Sequence, residues 1–155
     1  MINAILFVCT GNTCRSPMAE AIAKYIFEKN DKGLETIKVR SAGLFAIKGQ
    51  SVSEHAIQAL RYLGIPIDGK QSCALDLKSV EEADLILTMT EQHKQAVLAM
   101  FPEARKKIFT LKEYAGCDGV DIHDPYGGTV EDYIECAEDI KDAISCLAQK
   151  IRGNA

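Results

Sequence analysis

Two cysteines, a glycine and an arginine lie close together near the start of the chain. Cys9 and Arg15 are separated by five residues, and Gly11 and Asn12 between them tolerate left-handed backbone angles. A loop of this kind can turn its amide groups toward an anion, while the planar guanidinium binds two oxygens of the same group. A cysteine thiolate beside that anion is a nucleophile. The spacing therefore predicts covalent chemistry on a phosphate-like oxyanion.

The neighbouring residues supply the strand and the helix that must position this loop. The apolar run of residues 4–9 is unbroken, as expected for a central strand buried on both faces of a parallel sheet. Ser16 is a residue type that caps helices, and Pro17 fits a first helical turn. The unpaired amides of a helix start and Arg15 favour the thiolate of Cys9, to which the Ser16 hydroxyl can donate. We call residues 9–16 the anion loop.

Apolar runs of strand length alternate with segments of helical period along the rest of the chain. We predict a single domain over residues 1–155, an α/β fold of three layers in which helices cover both faces of about four parallel strands. Ligands of such sheets bind beyond the carboxyl ends of the strands, where the anion loop lies. The predicted strands are residues 4–9, 36–43, 83–89 and 107–110. The first predicted helix starts at Ser16, has a clear helical run through residue 27 and ends near residues 30–33. The other predicted helices are residues 54–63, 91–100 and 130–151. Residues 114–128 are expected to form a loop.

The composition narrows the class of protein. Hydrophobic residues make up 47% and charged residues 26% of the 155 residues, which is typical of a globular protein. The net charge of −4 argues against nucleic acid or an anionic membrane as the main partner. No early apolar run is long enough for a signal peptide or a membrane span, so we expect a cytoplasmic protein with mostly free cysteines. A monomer is the default expectation.

Transfer of a phosphoryl group also needs a proton donor for the leaving group. Asp124 is the best candidate, because Pro125 stiffens the chain behind its carboxyl group and Tyr126 can form an apolar wall. Taken alone, an aspartate before a proline is more often part of a turn than a catalyst. The three histidines, His55, His93 and His123, are far apart in sequence. We therefore expect no metal and no cofactor, and we place His123 on the surface of a loop.

Three motifs occur in order along nearly the whole chain: Cys9-Thr10-Gly11-Asn12-Thr13-Cys14-Arg15-Ser16-Pro17, Arg40-Ser41-Ala42-Gly43 and Asp124-Pro125-Tyr126-Gly127. Together they resemble the low-molecular-weight protein-tyrosine-phosphatase family. The resemblance implies a flavodoxin-like phosphatase fold, Cys9 as the nucleophile that forms a phosphocysteine, and Arg15 as the phosphoryl-binding residue. It implies Asp124 as general acid and then base. It also implies that Asn12, Ser16 and Ser41 brace the anion loop by hydrogen bonds.

Thr13 indicates a branch within this family. Tyrosine phosphatases of the family commonly carry a bulkier aliphatic residue at this position, whereas the bacterial protein-arginine phosphatases carry threonine. Residues 90–95 and 109–114, and the single aromatic residue before Gly127 and Gly128, also resemble the arginine branch. The resemblance thus implies hydrolysis of phosphoarginine, with phosphorylated proteins as partners. The expected substrate contacts are Thr10, Gly11, Asn12, Thr13, Cys14, Ser16 and Tyr126.

A physical reason supports this choice of substrate. The guanidinium group of phosphoarginine is planar and polar close to the phosphorus atom, so a threonine hydroxyl can hydrogen-bond near it where an aliphatic wall cannot. The aromatic face of Tyr126 packs equally well against a guanidinium plane or a phenyl ring. Asp124 can protonate nitrogen in one substrate or oxygen in the other. Thr13 therefore carries the discrimination.

Three other functions remain open on the sequence alone. The nearest is hydrolysis of phosphotyrosine by the same site. Arsenate reduction is disfavoured, because similar thioredoxin-coupled reductases carry a further close cysteine pair, whereas Cys73 stands alone in its region and Cys117 is the next cysteine. A phosphate-binding module without activity would have no use for both a nucleophile and Asp124.

Cys14 has two interpretations. It is either a small residue of the loop, or it resolves a sulfenic acid at Cys9 as a disulfide and prevents irreversible over-oxidation. The second interpretation predicts a redox-sensitive enzyme.

Overall fold

The computed structural model describes residues 1–30, 33–67 and 69–153. Within them, strands alternate with helices as the sequence predicts. The strands are β1 (Ala4–Cys9), β2 (Lys38–Gly43), β3 (Leu85–Thr88) and β4 (Ile108–Thr110). The helices are α1 (Arg15–Asn30), α2 (Glu54–Tyr62), α3 (Leu77–Glu82), α4 (Glu91–Met100), α5 (Leu111–Ala115) and α6 (Val130–Gly153), with a 3₁₀ helix at Pro102–Lys107.

The four strands form one parallel sheet in the order β2-β1-β3-β4. β1 is central, with Val8 opposite Ala42 of β2 and opposite Thr88 of β3. The chain moves from β1 to one side for β2 and then crosses to the other side for β3. This reversal creates a crevice at the carboxyl end of β1, where ligands bind in open α/β sheets. The fold class is therefore confirmed.

Helices cover both faces of the sheet and form two cores. Phe7 of β1 contributes to a large core with buried residues of α1, α2, α5 and α6. Val8 faces a smaller core that includes Val80 of α3 and Val97 of α4. Phe7 and Val8 are both 0% exposed, so β1 is buried on both faces, as its unbroken apolar run predicts. This burial fixes the strand from which the anion loop leaves.

Several boundaries differ from the prediction. The second and third strands are shorter at their amino-terminal ends than predicted. The sequence does not predict α3, α5 or the 3₁₀ helix. α5 includes the first residues of the expected 114–128 loop. Ser16 does not precede α1 but lies in its first turn, which begins at Arg15. Residues 31 and 32, at the expected end of the first helix, lie outside the described residues. No helix among the described residues is long and apolar enough to cross a membrane.

Candidate active site

The backbone of the anion loop is held by its carbonyl groups. The carbonyl oxygens of Cys9 and Thr10 accept hydrogen bonds from the amides of residues 44 and 45 at 3.0 and 2.9 Å, and that of Thr13 accepts from Ser53 at 2.8 Å. No amide of residues 11–14 donates to a protein acceptor in the described part of the chain. The loop thus leaves a row of backbone donors available, as an anion-binding site requires.

Asn12 gives the loop its shape. Its φ of 55° makes it the only residue other than glycine with positive φ among the described residues, and asparagine tolerates this conformation. Its fully buried side chain donates to the hydroxyls of Ser16 and Ser41, both at 2.9 Å, and accepts from the amide of Cys73 at 2.9 Å. These bonds confirm the expected bracing. They also mean that Asn12 can meet a substrate only through its backbone.

The directions of these hydrogen bonds make the Ser16 hydroxyl a donor to Cys9. The Glu20 carboxylate can only accept, so the Ser41 hydroxyl donates to it at 2.6 Å and accepts from Asn12. Asn12 likewise donates to Ser16, whose hydroxyl proton is then free to point at the Cys9 sulfur 2.9 Å away. A donated hydrogen bond stabilises the charged form of an acceptor. Ser16 therefore acts on Cys9 rather than capping α1.

Gly43, at the end of β2, lets the anion loop approach the neighbouring strand. A Cβ atom on this residue would lie 2.7 Å from the Thr10 carbonyl oxygen and 2.8 Å from the Asn12 nitrogen. Both distances are shorter than a carbon atom tolerates, and both partners are backbone atoms that cannot rotate away. The close approach explains why the second sequence motif ends in glycine.

Arg15 joins the anion loop to residues 121–128, which we call the Asp124 loop. Its buried guanidinium donates to the Ile122 carbonyl oxygen at 2.9 Å and lies 3.5 Å from the Asp124 carboxylate. The other carboxylate oxygen of Asp124 accepts from the Tyr126 amide at 3.0 Å, so its orientation is fixed from within its own loop. Arg15 therefore brings Asp124 to the anion loop that begins at Cys9, the residue with which both are predicted to act.

The remaining predicted contact residues surround this centre unequally. Thr10 is exposed and Thr13 is half-buried, so both residues are at least partly accessible at the anion loop. The Tyr126 side chain is 85% exposed, which leaves its ring free to pack against a substrate. His123 is exposed, as expected for a loop surface.

His93 is a residue of this region that the sequence analysis did not assign to the site. It is 7% exposed, and its Nε2 atom lies 2.9 Å from the Thr10 hydroxyl. Burial, and secondarily the positive charge of Arg15, lower the pKa of His93 to about 4, so its ring is neutral at physiological pH. His93 and His123 line the same cavity, although their separation in sequence does not indicate that they lie close together. This cavity of about 350 Å³ is also lined by Thr10, Arg15, Thr90, Gln92, Asp121, Ile122 and Asp124.

Cys14 lies on the inner side of the loop. Burial raises the pKa of its thiol above the ordinary range, with smaller effects of the same sign from Cys136, Cys9 and Asp124. Tyr133 of α6 is buried near this thiol. Cys14 is therefore a protonated thiol close to the candidate nucleophile.

A candidate nucleophile, a loop with free backbone donors and a candidate acid at the carboxyl end of a central parallel strand are the parts that a cysteine-dependent phosphatase needs. Residues 4–155 match the family described as low molecular weight phosphotyrosine protein phosphatase, and the chain belongs to this family. The resemblance stated from the motifs is therefore confirmed, as is the enzyme class. The expected partners, phosphorylated proteins, follow from the family.

Individual relatives carry two kinds of name. The chain is 43% identical over 148 residues to a protein-arginine-phosphatase of Bacillus subtilis, with 96% of both chains covered. It is 44% identical over 138 residues to the low molecular weight protein-tyrosine-phosphatase PtpB of Staphylococcus haemolyticus, covering 88% of this chain and 91% of the relative. A solved structure of YwlE arginine phosphatase, a variant with a phosphorylated active-site serine, superposes with a TM-score of 0.89 at 41% identity, covering 96% of this chain and 95% of the other.

Proposed function

We propose that this protein hydrolyses phosphoarginine on proteins through a phosphocysteine intermediate. The observation that carries the choice of substrate is Thr13, a half-buried hydroxyl-bearing residue of the anion loop. A polar group there suits a guanidino leaving group, which brings N–H donors close to the phosphorus atom. The protein-arginine-phosphatase named among the relatives supports the same substrate. Hydrolysis of phosphotyrosine is the alternative, supported by the relative named as a tyrosine phosphatase.

In the first step, the Cys9 thiolate attacks phosphorus in line with the leaving nitrogen. The S–P bond forms as the P–N bond breaks, and protonated Asp124 gives its proton to the departing guanidino nitrogen. Ser16, 2.9 Å from the sulfur, stabilises the thiolate before attack. The phosphorylated serine of the YwlE variant supports a covalent intermediate at this position.

In the second step, water hydrolyses the phosphocysteine. The Asp124 carboxylate accepts a proton from the water, whose oxygen attacks phosphorus while the S–P bond breaks and the thiolate returns. In both steps the amides of residues 11–14 and the Arg15 guanidinium bind the equatorial oxygens and neutralise the charge that spreads over them. Because these donors are already in place, little reorganisation is needed.

Replacing Thr13 by isoleucine is expected to shift the substrate preference. The larger aliphatic side chain removes the hydrogen-bonding group and offers an apolar wall, so kcat/KM for a phosphoarginine peptide should fall by about tenfold or more. The value for a matched phosphotyrosine peptide should hold or rise. Steady-state kinetics on both peptides measure the ratio, and Thr36→Ile, an exposed threonine before β2, is the control. A wild-type preference for phosphotyrosine would overturn the proposed substrate.

We also propose that Cys14 protects Cys9 from irreversible oxidation. Peroxide converts the Cys9 thiolate to sulfenic acid, and attack by the Cys14 sulfur would form the disulfide and release water. Activity lost to peroxide should then return on treatment with a dithiol, and Cys14→Ala should abolish this recovery. Because the Cys14 thiol is protonated at neutral pH, the recoverable fraction should increase as pH rises. Full recovery in Cys14→Ala would contradict the role.

A single domain, a monomeric state and a cytoplasmic location complete the proposal. The motifs and the family match extend over nearly the whole chain, which supports one domain. Light scattering coupled to size-exclusion chromatography measures the mass in solution and would reveal a dimer directly.

A further inference from the structure

His93 contacts the anion loop through one nitrogen and has an unpartnered second nitrogen. The Nε2 atom lies 2.9 Å from the Thr10 hydroxyl, whereas the buried Nδ1 atom has no hydrogen-bond partner among the described residues. The His93 backbone is hydrogen-bonded and its ring is buried, and both restrict the position of the side chain. The His93 amide donates to the Thr90 hydroxyl at 3.0 Å, the cap of α4, and the ring is 7% exposed.

The charges around the ring determine which nitrogen carries the proton. Arg15 acts on the ring as a positive charge and opposes its protonation, while Asp121 and Asp124 have weaker effects of the opposite sign. A proton on Nδ1 would bury an N–H donor without an acceptor near this positive charge, whereas a bare Nδ1 lone pair is favoured by it. The proton therefore belongs on Nε2, which donates to the Thr10 oxygen.

This assignment leaves the Thr10 oxygen with a free lone pair and its own proton. Thr10 is exposed and lines the same cavity as Arg15 and Asp124, so its remaining hydrogen-bonding capacity faces the space beside the phosphoryl site. An unrestrained threonine on the surface would rotate between staggered positions. The bond from His93 selects one of them and reduces the entropy lost when a substrate binds.

We propose that His93 is a positioning residue, which fixes the Thr10 hydroxyl as an acceptor for an N–H group of the guanidino leaving group. This inference rests on the proposed phosphoarginine activity and adds a second determinant, independent of Thr13. The phenyl ring of phosphotyrosine has no N–H donor to offer to Thr10. The pair therefore selects the substrate and does not support catalysis in general.

Four variants separate this role from a structural one. Thr10→Val removes the hydroxyl at an exposed position, and Thr10→Ser retains it. His93→Leu removes the ring donor, and His93→Gln places an amide donor near the position of Nε2. Gln95→Ala, on the exposed face of α4, is the matched control. Thermal unfolding of each variant verifies that it is folded. If His93→Leu does not fold, Thr10→Val tests whether the hydroxyl selects the substrate, and His93→Gln tests whether a donor at position 93 holds that hydroxyl in place.

We expect Thr10→Val to lower kcat/KM for a phosphoarginine peptide by about tenfold more than for a matched phosphotyrosine peptide, the value of one hydrogen bond. His93→Leu should have the same selective effect, and the double variant should be no worse than either single one. Thr10→Ser and His93→Gln should recover most of the loss. Equal losses on both peptides, or no loss on either, would overturn the role of His93. A wild-type enzyme inactive on phosphoarginine would overturn the proposed function itself, and this selection with it.

Discussion

Replacing Cys9 by serine should reduce turnover by at least about 10⁴-fold, the scale of losing a catalytic nucleophile. A serine hydroxyl is protonated at neutral pH, and among the described residues the only side-chain partner at this position is the Ser16 hydroxyl, which is not a base. Affinity for inorganic phosphate should survive, because the loop amides and Arg15 remain in place.

Two measurements on the Cys9→Ser variant test this expectation. Product release from either peptide reports turnover, and calorimetric titration with inorganic phosphate reports binding. Cys146→Ser, a change of an exposed thiol on α6, should behave as wild type. Retained turnover in Cys9→Ser would show that the mechanism does not pass through this sulfur.

Replacing Asp124 by asparagine should reduce kcat for phosphoarginine by about 10²- to 10⁴-fold, the usual contribution of a general acid and base. Asparagine has nearly the same shape, and its carbonyl oxygen can still accept from the Tyr126 amide, so the Asp124 loop should keep its conformation. The lost element is proton transfer in both steps. Asp118→Asn, an exposed aspartate between α5 and the Asp124 loop, is the matched control.

The dependence on the leaving group separates the two tasks of Asp124. An aryl phosphate with an acidic phenol needs little protonation, so the first step should survive in Asp124→Asn while hydrolysis of the phosphocysteine slows. Rapid mixing should then show a burst of phenol followed by slow turnover. An unchanged steady state on both kinds of substrate would remove Asp124 from the mechanism.

The strongest parts of the fold were predictable because one physical signal dominates each of them. The unbroken apolar run of β1 indicates a strand buried on both faces. α4 has the predicted bounds because Thr90 caps its start and Pro102 follows shortly after its end. The catalytic candidates Cys9, Arg15 and Asp124 could also be chosen from the sequence, since the proposed reaction needs one residue type for each task.

The short helices escaped prediction although their caps are visible in the sequence. Asp76 and Ser79 form a capping box at α3, as do Thr110 and Glu113 at α5. Both helices are too short for an apolar period to show, six and five residues long, so the caps were the only available signal.

The role of His93 depends on strand order, which the periodicity does not give. β1 and β3 are neighbours in the parallel sheet, so the loop after β3 lies beside the anion loop and brings His93 to Thr10. The hydrogen-bond partners of the Ser16 hydroxyl were also not predictable from its residue type. Its residue type fits a cap, and only the positions of Asn12 and Cys9 show that its hydrogen bonds are used elsewhere.

The most direct test of the central claim is a competition within one molecule. A peptide carrying one phosphoarginine and one phosphotyrosine is incubated with the wild-type enzyme, and mass spectrometry follows both sites over time. The ratio of initial rates equals the ratio of the two kcat/KM values, free of differences in peptide or enzyme concentration. We predict that arginine loses its phosphoryl group at least about tenfold faster. Faster loss from tyrosine would retain the chemistry of Cys9 and contradict the proposed substrate.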